Sequence, residues 1–192
     1  MDEVAIAILA RAPVPGLAKT RLIPALGAAG AAGLQDWMLR RTVATALAAG
    51  LGPVHLFCAG DIDHEAFITC ADGNAVKRHV QSGNDIGERM LSAAQAAATA
   101  AGVIVIGTDC PALTPTHLRR VARELAHQQA ALIPAEDGGY VLIAMQRPVP
   151  ELFADICWGE ADVMARTRQR LTALGWHWAE PETLWDVDRV ED

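Results

Sequence analysis

The sequence predicts an α/β fold: a mainly parallel, twisted sheet with helices on both faces. Three observations predict it. Short apolar runs of strand length alternate with longer stretches at helical period, no repeat or linker divides the 192 residues, and 52% of them are hydrophobic. One domain over residues 1–192 is therefore expected. A chain this long buries about 70% of the surface its unfolded form exposes, so its core needs neither disulfides nor a structural metal.

Residues 4–9 are a continuous apolar run of buried-strand length, feeding the loop Arg11-Ala-Pro-Val-Pro-Gly-Leu-Ala-Lys-Thr-Arg21. Residues 28–49 are rich in Ala, place Leu34, Trp37 and Met38 on one expected inner face, and stop at Gly50, a helix with a glycine C-terminal signal. Residues 54–58 read as the second strand, 61–68 as a short helix and 75–80 as the third strand. Asp85-Ile-Gly-Glu88 has the form of a helix start, and Met90, Ala94 and Ala97 continue its inner face. Residues 103–106 are a four-residue apolar strand. Thr114-Pro115 then caps a helix with Leu118, Val121 and Leu125 on one stripe. Residues 131–134 and 140–144 are strands around the turn Glu136-Asp-Gly-Gly139, residues 163–174 form the last helix, and 176–178 and 184–187 are edge segments.

Composition excludes several classes of function. With 16 Lys and Arg against 23 Asp and Glu the net charge is −7, so a general surface for DNA, RNA or anionic lipid is not expected. Nine aromatic residues give no stacking platform for single-stranded nucleic acid. Neither a membrane span nor a signal peptide is read, so the expected compartment is the cytoplasm. Cys58, Cys70, Cys110 and Cys157 show no zinc-module spacing and read as reduced thiols. Neither a G-x-S-x-G elbow nor a G-x-G-x-x-G fingerprint is present, which disfavours hydrolase triads and nicotinamide dehydrogenases.

Three polar clusters fall where strands end, the place where open α/β sheets bind ligands. The first loop gathers Arg11, Lys19 and Arg21 in an acidic chain and suits a diphosphate. It lacks the spacing of a Walker A loop, and on composition alone a solvated connection reads equally well. Asp109, in Gly107-Thr-Asp-Cys-Pro111, can bind a divalent cation bridging phosphate oxygens, or can simply bond turn amides. Asp186-Val-Asp188 puts two carboxylates on one side of an extended chain, a second half for such a site or a frayed acidic end. The glycines of Glu136-Asp-Gly-Gly-Tyr140 allow close ligand approach and equally suit a hairpin turn, while Gly83 and Gly87 around a helix start could face a base or ribose.

Taken in order, the blocks 10–22, 81–90, 107–115, 135–140 and 186–188 resemble the bacterial glycosyltransferase family with a nucleotide-diphospho-sugar transferase fold, some members of which are assigned to arsenosugar biosynthesis. More distantly the chain is similar to phospholactate and molybdenum-cofactor guanylyltransferases. The resemblance implies a three-layer α/β/α sandwich of GT-A type. It implies nucleotide contacts from Ala10, Arg11, Pro15, Gly16, Lys19, Arg21, Gln81, Gly83, Gly87, Arg89 and Thr108, with Lys19, Arg21 and Asp109 as the catalytic set. It further implies Mg2+ or Mn2+ on Asp109 with Asp186 or Asp188, and an acceptor side formed by Asp137, Gly138, Gly139 and Tyr140. Two departures stand out. A GT-A Asp-x-Asp motif is replaced by Asp109-Cys110-Pro111, and the family's Trp-Ser-Thr block reads Cys157-Trp-Gly-Glu160.

The expected activity is metal-dependent glycosyl transfer from a nucleotide-diphospho-sugar to a small-molecule acceptor. Two alternatives stand beside it: nucleotidyl transfer from a nucleoside triphosphate to a phosphorylated small molecule, and a nucleotide-binding module without catalysis.

Overall fold

Residues 5–10 carry no polar side chain, and the strand they form is buried on both faces. The computed structural model describes residues 3–192. In β1 (Ala5–Arg11), Ile6, Ile8 and Ala10 enter one apolar core, while Ala5, Ala7 and Leu9 enter a second on the other side of the sheet. The first core is closed by α1 (Ile23–Ala49), α2 (Glu65–Cys70) and α4 (Pro115–Glu124), through Leu39, Val43, Phe67, Leu118 and Val121. The second is closed by α3 (Ile86–Ala97) and α5 (Val163–Ala173), through Met90, Ala94, Met164 and Leu171. This is the expected three-layer sandwich.

The remaining strands are β2 (Val54–Ala59), β3 (Val76–Val80), β4 (Val103–Ile106), β5 (Ala130–Pro134), β6 (Tyr140–Met145) and β7 (Trp178–Ala179). They pair in the order β3-β2-β1-β4-β6-β5-β7. Ile6 lies opposite Val54 on one side and Ile104 on the other, both pairings parallel. β6 alone runs antiparallel, to β4 and β5 alike. The chain leaves β1 toward β2 and β3, then returns to add β4 on the opposite side of β1. That reversal opens a crevice beyond the carboxyl ends of β1 and β4.

Local chemistry accounts for the ends of the helices. The Asp85 side chain accepts from Glu88 N at 2.8 Å, and Thr114 caps α4 ahead of Pro115, as the sequence predicts. Gly50 ends α1 in the left-handed region, and Gly27 breaks the helix near its start with φ of 70°. The buried stripe of α1 differs from expectation. It runs through Ala31, Ala32, Gln35, Met38, Leu39, Thr42, Val43 and Ala46, leaving Trp37 outside with the Arg41 guanidinium over its ring at 5.7 Å. The four cysteines are free thiols. Burial pushes Cys58 and Cys110 up to about 11, which keeps both protonated and inert at neutral pH. Among the described residues no helix is long and apolar enough to cross a membrane.

Candidate functional site

Beyond the ends of β1–β4 lies a cleft of about 600 Å³. β1 delivers Ala10 and Arg11 to it, the following loop delivers Lys19 and Arg21, Gln81 arrives just after β3, and Thr108 and Asp109 just after β4. Arg89 of α3 and Asp188 of the C-terminal segment complete the predicted residues on its wall. Pro15, Gly16, Gly83 and Gly87 do not line it. Gly16 shapes the loop with φ of 82°. A Cβ on Gly83 would come within 2.7 Å of Arg89 N, and one on Gly87 within 2.4 Å of the Trp158 indole, so these two glycines allow close packing around the start of α3.

The end of the cleft formed by the first loop is charged and self-paired. Lys19 takes a left-handed backbone, φ 47°, and its side chain is 6% exposed. Its Nζ lies 2.9 Å from Asp109 Oδ2 and donates to the Val187 carbonyl at 2.6 Å. Arg21, 64% exposed, pairs with Asp188. The C-terminal segment is fastened here by its backbone: Val187 N donates to Asp109 O at 2.8 Å, and Leu184 N to Pro134 O at 3.0 Å.

Asp186 stands between these groups. Burial and the neighbouring carboxylates of Asp137, Asp109 and Asp188 push its carboxyl up to about 6. It has no ion-pair partner among the described residues. The three carboxylates expected to hold a metal thus lie near one another, Asp109 and Asp188 on the wall of the cleft and Asp186 off it, without closing into a ligand cluster: among the described residues, no three Asp, Glu, His or Cys groups converge at metal distance. The physical reason is visible, since Asp109 and Asp188 are each turned to a cation of the first loop.

A second cavity, about 370 Å³, shares Arg21 and Asp188 with the cleft. Glu136, Asp137, Glu160, Asp186 and Asp192 line it with Arg189 and the exposed ring of Trp185. Of the residues expected on an acceptor side, Asp137 is here. Gly138 is occupied with packing, since a Cβ on it would lie 2.0 Å from the Ala161 carbonyl, and its own carbonyl accepts from Met164 N at 2.9 Å. The amide of Gly139 is held by Asp137 Oδ1 at 2.9 Å. The Tyr140 hydroxyl turns inward to Met90 Sδ at 3.8 Å, and burial holds it far above the ordinary phenol range. A third cavity, about 1050 Å³ and the largest of the three, opens at the other end of the sheet beside Val4, Gly52 and Ala101, away from the charged groups described here.

Sequence reasoning missed Gln35, 3% exposed, whose Nε2 donates to Arg11 O at 3.3 Å and Thr108 Oγ1 at 3.2 Å, tying the ends of β1 and β4 together. Its signal was a lone amide within the buried stripe of an Ala-rich helix. Trp185, Leu17 and Ile86 were also missed, because isolated apolar residues in loops carry no periodic pattern.

The chain is similar to a protein from Desulfovibrio desulfuricans G20 provisionally assigned as a nucleotide-diphospho-sugar transferase, with 31% identity over 99% of this chain and 84% of that one, at a TM-score of 0.87. It also resembles CMP:2-keto-3-deoxy-manno-octonic acid synthetase complexed with CTP, with 12% identity, 98% and 94% coverage, and a TM-score of 0.61. Rv0371c from Mycobacterium tuberculosis H37Rv in complex with manganese matches with 17% identity, 98% and 95% coverage, and a TM-score of 0.61. No curated protein matches at a significant level. The fold is that of the nucleotide-diphospho-sugar transferases and nucleotidyltransferases. A family model described as "Uncharacterized protein conserved in bacteria (DUF2064)" matches residues 42–160, and the chain belongs to that family.

Proposed function

We propose that this chain is a nucleotide-utilising transferase, and that its reaction is glycosyl transfer from a nucleotide-diphospho-sugar bound in the cleft at the ends of β1–β4. The observation that carries this reading is the meeting of Lys19, Arg21, Asp109 and Asp188 at one end of that cleft, in a chain whose net charge is otherwise −7.

In glycosyl transfer the bond between the sugar carbon and the β-phosphate oxygen breaks, and negative charge builds on the departing diphosphate. Lys19 and Arg21 are placed to meet it. Each can exchange its present carboxylate for phosphate oxygens, and charge-assisted bonds held in a fixed geometry favour the charge that develops. Gln35 holds Arg11 and Thr108 in register beneath the bound nucleotide.

The donor set fits Mg2+ or Mn2+, which keep several waters and use one or two carboxylates together with substrate phosphates. Asp186, unpaired and surrounded by carboxylates, with Asp109 beside it, would hold the ion. Once bound, the ion would neutralise charge on the phosphates.

The second cavity supports the glycosyl reading over the nucleotidyl one. Six carboxylates against two arginines line it, and Arg21 is already paired, so a phosphorylated acceptor would meet repulsion that a neutral hydroxyl acceptor would not. Trp185 offers a sugar ring an apolar face.

Product analysis tests the reading. Incubation with UDP-, GDP-, CDP- and ADP-sugars and Mn2+ should release a nucleoside diphosphate, whereas nucleoside triphosphates releasing pyrophosphate would establish nucleotidyl transfer instead. Asp109→Asn should abolish Mn2+-dependent nucleotide binding in calorimetry while the protein stays folded by circular dichroism. If affinity is the same with EDTA, and Asp109→Asn binds like the parent, the metal part of the proposal is wrong.

A further inference from the structure

The largest of the three cavities takes no part in the proposed reaction. It is about 1050 Å³ and opens where β1, β2 and β4 begin and β6 ends. The length of a seven-residue strand, about 20 Å, therefore separates it from the charged cleft. Its floor is apolar: Val4, Ala49 and Leu125 are buried there, and Leu51 and Ala101 are half-buried. One face of α4 forms its wall. Thr116, Arg119 and Arg123, spaced by three and four residues, lie along that face, while Leu118 and Val121 of the same helix enter the core.

The polar groups around this cavity are unequally used. The Ala48 and Ala49 carbonyls, left over at the end of α1, accept from Arg119 Nη2 at 2.6 Å and from its Nε at 3.0 Å. The Leu125 carbonyl accepts from Gln146 Nε2 at 2.8 Å, and the Leu51 carbonyl from Val4 N at 3.0 Å. These acceptors are taken, and donors remain. Arg119 commits two of its five N–H groups to the end of α1, which fixes its head in place. Arg123 commits one, from Nε to the Arg119 carbonyl at 3.4 Å. Neither guanidinium has a carboxylate at ion-pair distance among the described residues, although the chain carries a net charge of −7. The two stand one helical turn apart, where like charges repel. Glu3 brings a single carboxylate to the same wall.

We infer that this cavity binds a small amphipathic carboxylate, with its apolar body on the floor formed by Val4, Leu51 and Leu125 and its carboxylate across the heads of Arg119 and Arg123. A planar carboxylate matches the guanidinium fork and supplies the negative charge that both arginines lack. A neutral ligand of the same shape would leave the surplus donors without acceptors, and a cationic one would add to the repulsion. The volume is at the upper end of small-molecule sites, ample for an acid of about ten carbons. Because the strand length lies between them, acid and nucleotide bind without competing.

Isothermal titration of the full chain tests this with octanoate, decanoate and phenylbutanoate against acetate, octanol and octylamine. At least one of the three acids should bind tenfold or more tighter than all three controls. Arg123 is exposed and its one bond is to its own helix, so Arg123→Gln should unfold at the same urea concentration as the parent. It should nevertheless bind that acid within threefold of octanol. The inference is overturned if no acid binds, if octanol binds as tightly as the acids, or if Arg123→Gln keeps the tenfold preference. Displacement of the acid by UDP, GDP, CDP or ADP with Mn2+ would place it in the nucleotide cleft and overturn the inference as well.

Discussion

Asp186 illustrates how a single residue carries information that composition cannot. An isolated aspartate titrates near 3.9, whereas here burial and three neighbouring carboxylates raise it to about 6. Between about pH 4 and pH 6 the native state therefore holds a proton that the unfolded chain has released. Stability falls as pH climbs through that window and stays lower above it. Asp186→Asn should remove this dependence, flattening the urea midpoint across the window relative to the parent and raising it near pH 7. An identical pH profile in the two proteins would show that neither burial nor the neighbouring carboxylates raise Asp186. The acidic pair 186 and 188 was legible as a candidate in the sequence, but its neighbourhood was not, because Asp137 and Asp109 reach it from segments about 50 and 80 positions away in the chain. Lys19 is a similar case. Its place in a cationic loop was legible, while its left-handed backbone and its two partners, Asp109 and the Val187 carbonyl, depend on tertiary contact.

At the scale of elements, local signals were the readable ones. Asp85 and Thr114-Pro115 mark helix starts because a side-chain oxygen must satisfy free amides within three residues, a constraint written in adjacent positions. Strands 103–106 and 140–144 were found from apolar runs, yet nothing in those runs says that β6 inserts antiparallel between β4 and β5. The inner face of α1 was misplaced for a related reason: with Ala at so many positions the helix has almost no amphipathic contrast, so Trp37 attracted the assignment that belongs to the stripe through Gln35. The β5–β6 turn yields a prediction at this scale. Gly138, at φ 95° and against the Ala161 carbonyl, has no room for a methyl group. Gly138→Ala should destabilise the fold by about 2 kcal/mol or more in urea denaturation, since both backbone strain and a clash with main chain oppose it. It should also loosen residues 156–162, read as faster amide exchange there. A stability within about 0.5 kcal/mol of the parent would mean that the loop yields freely.

Across the whole molecule the two faces of the sheet carry the cores, and the ends of β1–β4 carry the candidate site, so core and cleft occupy different parts of each strand. The fold class was readable because strand and helix periods are properties of short windows. The site was readable only in its loops, and its arrangement follows from the strand order. The ion pairs Lys19–Asp109 and Arg21–Asp188 have a consequence for the molecule's response to its medium. An anion entering the cleft displaces tethered carboxylates instead of salt ions from solution, so its affinity should depend only shallowly on ionic strength. A slope of log affinity against log salt near −1 or steeper would contradict this. Each carboxylate set free would then lack a counter-charge, which a divalent ion would supply. If the chain binds nucleotide and cation together as proposed, the two are thermodynamically linked: whatever factor Mn2+ adds to nucleotide affinity, the nucleotide must return to Mn2+.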